Sequence, residues 1–477
     1  MYEAVIGLEV HVQLKTKAKV FCACSTEFGQ EPNTQTCPVC LGFPGALPVL
    51  NFTALEYAVK VGLALNCSVQ EFTKFDRKHY YYPDLPKNFQ ISQYDLPVAK
   101  EGYLDIEVGS GQKRIRIRRV HLEEDAGKLI HRDNISLVDY NRAGQPLLEI
   151  VSEPDIRSPQ EAYEYLVDLK SIIQYLGVSD CDMEKGTLRC DANISIRHKG
   201  ASVLGTKSEL KNLNSFKAVK DSLEYEAQRQ QGLAESGREI IQETRLWDEK
   251  SSRTLVMRSK EEAKDYRYFP EPDLPPFIIS REKIAQIRQG IPELPKERRS
   301  RFQKEYGLSQ YDSGILVSLK NNAEYAEERF RIWPDKNKKL VANWLIGPLT
   351  AIAAQRNQEI FQLEISPEDF LELIELVEKK QAISNLNGKA VLEEMAKTGK
   401  PPSVIIQEKN LSQISDAGSL EKDIDEVIAE NASSVNDFKS GKTNALMFLV
   451  GQVMKKTKGK ANPKVAQDIL KRRLSGE

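Results

Sequence analysis

From Val5 to Leu14 the chain alternates strictly: Ile6, Leu8, Val10, Val12 and Leu14 fall on one side, Gly7, Glu9, His11 and Gln13 on the other. Period-two alternation predicts a half-buried strand whose apolar face needs a core behind it. The polar face carries Glu9 and His11, two positions and therefore roughly 7 Å apart. A carboxylate and an imidazole aimed at one space from a rigid element can start a metal or acid–base site; an exposed polar face is the plainer alternative.

Other runs repeat the period. Leu188, Cys190, Ala192, Ile194 and Ile196 are predicted to face a core, with Arg189, Asp191, Asn193, Ser195 and Arg197 turned away. Lys113 to Arg119 alternates with one cationic face, and the apolar parity slips at Arg119, the mark of a β-bulge that re-aims side chains. The run continues into Glu123, Glu124 and Asp125, three consecutive acids that repel one another unless a cation or arginines lie opposite. Pro146 to Glu153 is a further apolar strand with Glu149 set inside it, where a lone charge is costly.

Helical spacing appears between these strands. Asn51 caps a helix to about Asn66, and Ser158-Pro159-Gln160-Glu161 is a capping box opening a helix that Gly177 stops. A third helix runs from Phe216 to about Gly232. Strands and helices in mixed order, without βαβ alternation, predict an α+β fold for this part. Asp265 to Pro276 is the clearest punctuation, and beyond it the spacing turns helical, with Ser366 capping one helix and another near Ala390 to Lys397. Gly399-Lys400-Pro401-Pro402 reads as a second linker.

Composition narrows the class. A chain of 477 residues predicts two or three domains. The 68 Lys and Arg against 69 Asp and Glu give no global signal for nucleic acid, so any such role rests on local asymmetry. No apolar run approaches a membrane span, and no signal-peptide pattern precedes the first strand. Seven cysteines, an odd number, argue for a reducing cytosol over a disulfide framework. Four of them, Cys22, Cys24, Cys37 and Cys40, form two close pairs across a short loop, the pattern of a closed structural zinc site.

Two further stretches carry candidate chemistry. Lys74 to Gln90 interleaves cations with Tyr80, Tyr81 and Tyr82; Pro83 and Pro86 predict a loop able to take phosphates and stack on bases, or simply to pack on the surface. The last segment starts acidic, at Glu421, Asp423, Asp425, Glu426 and Glu430, and ends basic, at Lys455, Lys456, Lys458, Lys460, Lys464, Lys471, Arg472 and Arg473. A basic terminal cluster can contact a phosphate backbone or can be a solvated face. Gly441-Lys442-Thr443 lacks the leading glycine and strand of a P-loop and is rejected.

Val5 to Leu14, the four-cysteine loop, Lys74 to Gln90, His121 to Lys128, Asp139 to Asp155, Leu188 to Arg197, Glu209 to Phe216 and Asp265 to Pro276 together resemble one family of proteins. It is the GatB/GatE family of aspartyl/glutamyl-tRNA(Asn/Gln) amidotransferases, and the resemblance covers essentially the whole chain. It implies a glutamine-synthetase-like cradle with a zinc-stapled loop (residues 1–292), an all-α helical domain (293–401) and a small helical tail that binds tRNA (402–477). It also implies ATP- and Mg²⁺-dependent phosphorylation of the side-chain carboxylate of misacylated Glu-tRNA(Gln) or Asp-tRNA(Asn). Amidation would follow, with ammonia from a glutaminase partner and a small third chain completing the heterotrimer. The implied metal ligands and catalytic residues are Glu9, His11, Glu124 and Glu149, with the cysteines for Zn²⁺. Histidine is the awkward member, since Mg²⁺ prefers oxygen and Mn²⁺ is softer. By sign and placement, Arg189, Arg197 and Lys211 are candidate phosphate contacts. The rival reading is a non-catalytic tRNA-binding scaffold, and a weaker one a Mg²⁺-dependent hydrolase with no ammonia-supplying partner.

Overall fold

The computed structural model describes residues 1–109, 111–259, 266–411, 417–457 and 461–475. The chain divides into two compact units, Met1–Leu294 and Pro295–Glu477. The first is mixed α and β, the second helical.

Among the described residues of the first unit, nine strands form one sheet. In chain order they are β1 (Tyr2–Gln13), β2 (Ser68–Val69), β3 (Ala99–Val108), β4 (Gly111–Glu124), β5 (Pro146–Ser152), β6 (Leu188–His198), β7 (Ser208–Lys211), β8 (Glu243–Asp248) and β9 (Arg253–Ser259). Their spatial order is β9-β8-β7-β6-β1-β5-β4-β3-β2, so the first strand sits in the middle, antiparallel to β5 and β6. Its apolar positions explain this: Ile6, Leu8, Val10, Val12 and Leu14 are all buried, and only a central strand backed by helices hides so complete a face. Helices α1 (Phe52–Ala64), α2 (Pro159–Leu176) and α3 (Phe216–Glu235) supply that backing and share one core with the sheet.

The caps follow the expected chemistry. The side chain of Asn51 accepts from Thr53 N–H, that of Ser158 from Glu161 N–H, and Gly177 ends α2 at φ +70°. Glu161 departs from the capping box in one detail: its carboxylate reaches past Ser158 to Arg157 N–H and also takes Lys113 Nζ. The parity slip at Arg119 is a bulge. Val151 faces Arg119 and Ser152 faces Ile117, leaving Arg118 as the extra residue. Here the β1–β5 ladder ends too, and the Ser152 hydroxyl accepts Leu8 N–H at 2.9 Å in its place.

Two stretches are more ordered than their prolines suggested. Within Lys74–Gln90, Asp76–His79 is a strand pairing with Phe89–Ser92 on one side and with Phe269–Pro270 on the other. Proline forbids a ladder only where it sits, and Pro83 and Pro86 lie in the connection between two strands. Likewise the stretch beginning at Asp265, a residue outside the described ones, is not a free linker. Glu271 is buried and takes a two-pronged contact from Arg77 at 2.7 and 2.9 Å, and Phe277–Ile278 pairs with Phe72–Thr73.

In the second unit, helices Pro295–Tyr306 and Lys320–Ile332 are joined by buried Glu327, which accepts from Arg298 at 2.7 Å and Arg301 at 2.6 Å. Gly399 ends one helix in the left-handed region, and Pro402–Glu408 then packs on Pro367–Ile374 and Asn385–Thr398. Four later helices, among the described residues, have their own core of Leu420, Ile424, Val427, Leu449, Val453, Ile469 and Leu470.

Two substitutions test these joints. Ser152→Ala leaves Leu8 N–H buried without an acceptor, and denaturant melts are expected to show a loss of about 1–3 kcal/mol. Glu327→Gln breaks the second network, at about 2–3 kcal/mol near neutrality. Burial works to raise the Glu327 carboxyl, but Arg301 and Arg298 hold it down at about 2. A depressed carboxylate stabilises fully above its unfolded value and loses that contribution as pH falls through the folded one. The gap between wild type and Glu327→Gln is therefore expected to be constant above about pH 5 and to close toward pH 2.

Candidate metal centre

The register of the central strands writes the site in rows. His11 on β1 faces Glu149 on β5, Glu149 faces His121 on β4, and on the other flank His11 faces Arg189 of β6. The next row of the same sheet face holds Asp191, Glu9, Val151 and Arg119; the row on the other side holds Gln13, Leu147 and Glu123. Because the side-chain period is two, these alternate rows all point away from the helical core.

The side chains converge as the rows suggest. His11 Nε2 lies 3.6 Å from Glu9 Oε1, 3.7 Å from Glu149 Oε2 and 3.9 Å from Glu123 Oε1. His121 Nε2 is 3.2 Å from Glu149 Oε2 and 3.3 Å from Glu123 Oε2, and Arg119 Nη2 reaches Glu149 Oε1 at 3.2 Å. Burial, then the charge of Glu149, raises the Glu9 carboxyl above its ordinary value. Burial pushes Glu123 and Glu149 the same way, but His121 outweighs it and both stay below the usual carboxylate range. Burial works against a charge on His121, yet Glu149 and Glu123 raise it to about 9. The imidazole and the two carboxylates thus favour each other's charged forms. Lys78 is half-buried nearby, its ammonium 5.1 Å from the ring centre of Tyr266, and Glu123 keeps it charged against desolvation.

Of the four expected metal ligands, the structure brings together Glu9, His11 and Glu149. Glu124 is a correction. It follows Glu123 by one residue, so it points through the opposite face, where its carboxylate accepts Ile91 N–H at 2.8 Å and pairs with Lys87. Glu123 takes the place in the cluster that was expected of Glu124. The parity of Val120 and Leu122, both buried, was the signal that His121 and Glu123 face outward.

The three consecutive acids each have a cation, as their repulsion demands: Glu123 has His121, Glu124 has Lys87, and Asp125 has Arg189 at 2.8 Å. Arg189 therefore borders the cluster already paired. Lys211 pairs with Asp191, the strand neighbour of Glu9. Arg197 is a second correction: it pairs with Glu3 at 2.7 Å, eight residues and roughly 27 Å along β6 from Arg189, because a strand carries its side chains away at a fixed rise.

On the Glu124 side lies the cysteine loop. Ligand sulfurs of Cys22, Cys24, Cys37 and Cys40 all stand within 4.8 Å of one another, and Cys37 Sγ and Cys40 Sγ are 3.9 Å apart. Zn–S bonds of about 2.3 Å set tetrahedral sulfurs roughly 3.8 Å apart, so the donor set fits such an ion. A hydrogen bond between Cys22 and Cys40 holds the Cys40 thiol down at about 4 and pushes that of Cys22 up; buried Lys19 adds an ammonium 3.6 Å from Cys40 Sγ. Lys19, Cys40, Arg77, Lys87, Glu124 and Glu271 are among the residues lining a cavity of about 200 Å³ beside it.

The GatB/GatE catalytic domain family matches residues 4–285, and the GatB domain family matches residues 332–474. The GatB subunit of the aspartyl/glutamyl-tRNA(Asn/Gln) amidotransferase of Carboxydothermus hydrogenoformans is 57% identical, over 99% of each chain. The chain belongs to the GatB family of aspartyl/glutamyl-tRNA(Asn/Gln) amidotransferase subunits. Proteins of the same description from Caldanaerobacter subterraneus and Persephonella marina are 55% and 53% identical, again over 99% of each chain. The catalytic-domain match takes in every residue of the carboxylate–imidazole cluster and all four cysteines. Among the described residues, no helix is long and apolar enough to cross a membrane.

Proposed function

We propose that this chain is the activating member of a tRNA-dependent amidotransferase: it phosphorylates the side-chain carboxylate of misacylated Glu-tRNA(Gln) or Asp-tRNA(Asn) and hosts its conversion to the amide. The observation that carries this reading is the gathering of Glu9, Glu123 and Glu149 with two imidazoles on one polar sheet face. A carboxylate resists attack by ammonia because it has no leaving group. When its oxygen takes the γ-phosphoryl group of ATP, ADP departs and an acyl phosphate forms. Ammonia then adds at the carbonyl carbon and phosphate leaves. Phosphoryl transfer of this kind asks for positioning and charge neutralisation more than for a dedicated nucleophile.

The residues supply both. Glu9, His11, Glu123 and Glu149 would hold Mg²⁺, or the softer Mn²⁺, which on binding neutralises phosphate oxygens. Arg119 and Lys78 add fixed positive charge at the same face, and the rigid strands hold all of these groups without a loop having to order. Ammonia would come from a glutaminase partner, with a small third chain completing a heterotrimer. The cysteine loop would carry a structural Zn²⁺. For the tail, ion pairs within the segment support a narrower basic surface toward tRNA. Lys456 pairs with Glu426 and Glu430, and Arg472 and Arg473 with Glu421, so the acidic start of this segment neutralises part of its basic end. Lys455, Lys464 and Lys471 stay exposed; Lys458 and Lys460 lie outside the described residues.

In the reconstituted complex, Glu9→Gln and Glu149→Gln are each expected to lower amidation of misacylated tRNA at least about 100-fold while glutaminase activity persists. Retained amidation in both would remove the site. ATP consumption with misacylated tRNA separates this reading from a tRNA-binding scaffold, which turns over none. Metal analysis is expected to find one zinc per chain, lost in Cys22→Ser/Cys37→Ser, with a fall of about 5 °C or more in the melting midpoint.

A further inference from the structure

Between β4 and β5, the strands that carry Glu123 and Glu149, the chain leaves the sheet. Lys128–Arg132 and Ile135–Asp139 form a hairpin closed by a two-residue turn at Asp133 and Asn134. Among the described residues these two strands pair only with each other. A lone two-stranded ribbon is marginal in water, so something has to hold it. The cysteine loop does so at the base. Asn33, between Cys24 and Cys37, sits at φ +62° and grips three points. Its N–H donates to Asp139 Oδ1 at 3.0 Å, its Nδ2 donates to Val138 O at 3.0 Å, and its Oδ1 accepts Tyr140 N–H at 2.8 Å. Asn141 closes the same seam, accepting Gln35 N–H at 2.8 Å and donating to Glu31 O at 2.7 Å.

The ribbon presents one distinctive face. Ile130 lies opposite Leu137 and Arg132 opposite Ile135, and Lys128 shares their side. Ile135 is 61% exposed and Leu137 43%, with Lys128 and Arg132 exposed at the two ends. Asp139, across from Lys128, is turned into the Asn33 clasp. Branched aliphatic side chains neither stack on bases nor make hydrogen bonds, so they gain little from RNA. An apolar centre rimmed by cations instead fits a protein surface that is apolar within and acidic around.

We propose that this hairpin is the docking arm for the ammonia-supplying partner chain, and that an ion in the cysteine loop keeps the arm ordered through Asn33. The inference rests on the amidotransferase reading above and deepens it by naming a surface for the partner. Position argues for that partner: the hairpin springs from the end of β4 and returns to β5, so a chain seated on it sits next to the strands where ammonia is used. Without the ion the ends of the loop between Cys24 and Cys37 are no longer tied together, and the freedom Asn33 regains works against its clasp.

The test uses the zinc-loaded full-length chain, the glutaminase chain as titrant, and amide hydrogen exchange. Ile135→Glu/Leu137→Glu is expected to weaken partner binding at least about 10-fold. Amidation driven by ammonium chloride is expected to stay at the wild-type rate, which also shows that the variant folds. Lys128→Glu/Arg132→Glu, a reversal of exposed charge, is expected to weaken the same binding and flatten its salt dependence. Asn33→Gly keeps the left-handed turn but deletes both side-chain bonds. In it, and in Cys22→Ser/Cys37→Ser, exchange across residues 128–139 is expected to rise at least about 10-fold while β1 is unchanged. Wild-type affinity for the glutaminase chain in either charged double variant overturns the docking face, and so does a loss confined to tRNA binding. Unchanged exchange in Asn33→Gly overturns the clasp. A wild type that cannot amidate with ammonium chloride overturns the activation reading instead, and the partner titration still decides this one.

Discussion

The antiparallel pairing of β1 with β5 and β6 is the constraint on which the rest depends. One register puts Ile6, Leu8, Val10, Val12 and Leu14 into the core and aligns His11 with Glu149. A slip of one residue would bury Glu9 and His11 and expose the apolar row, at a cost of several side-chain burials. The same hydrophobic term that folds the sheet thus fixes the ligand geometry. No separate energy has to hold the acids together, and Ser152 closes the one place where the ladder between these strands lapses.

Much of this was legible because strand parity is a local property. The first strand, β6, the capped helices and the bulge at Arg119 could all be read from spacing, and the four cysteines from their pairing in sequence. The choice between Glu123 and Glu124 was legible in principle: beyond a bulge the parity restarts, and Val120 and Leu122 set it. The resemblance pointed instead to Glu124, one residue past the position that this parity turns toward the cluster. Other features were not local. Asp76–His79 pairs with nearby Phe89–Ser92 but is completed on its other side by Phe269–Pro270, almost two hundred residues away, and no window around Pro83 contains that second partner. Arg197 had the right sign and the right face, but distance along a strand is invisible to either.

Charge in this chain is balanced by neighbourhood as well as in total. Consecutive acids Glu123, Glu124 and Asp125 each meet a cation from a different direction, and the acidic and basic ends of the tail pair with each other. A near-neutral sum therefore conceals a strongly structured field. Within the cluster, Glu149 has Arg119, while Glu9 and Glu123 stand beside imidazoles on the polar sheet face.

The end of β4 joins two chemistries on opposite sides of one backbone. Glu123 leans into the imidazoles, while Glu124, one peptide on, takes Lys87 and Ile91 N–H in the cavity beside the thiols. Gly144, at φ +84°, closes that side: a Cβ there would meet Lys19 and Cys40 at 3.4 and 3.5 Å. Its N–H donates to Asp125 O, and its carbonyl accepts Val20 N–H from the start of the cysteine loop. An ion in the thiol set would therefore do more than shorten a loop. By fixing Lys19, Cys40 and the Gly144 turn, it would fix the strand end from which Glu123 projects, so that the position of a ligand on one face is held by packing on the other.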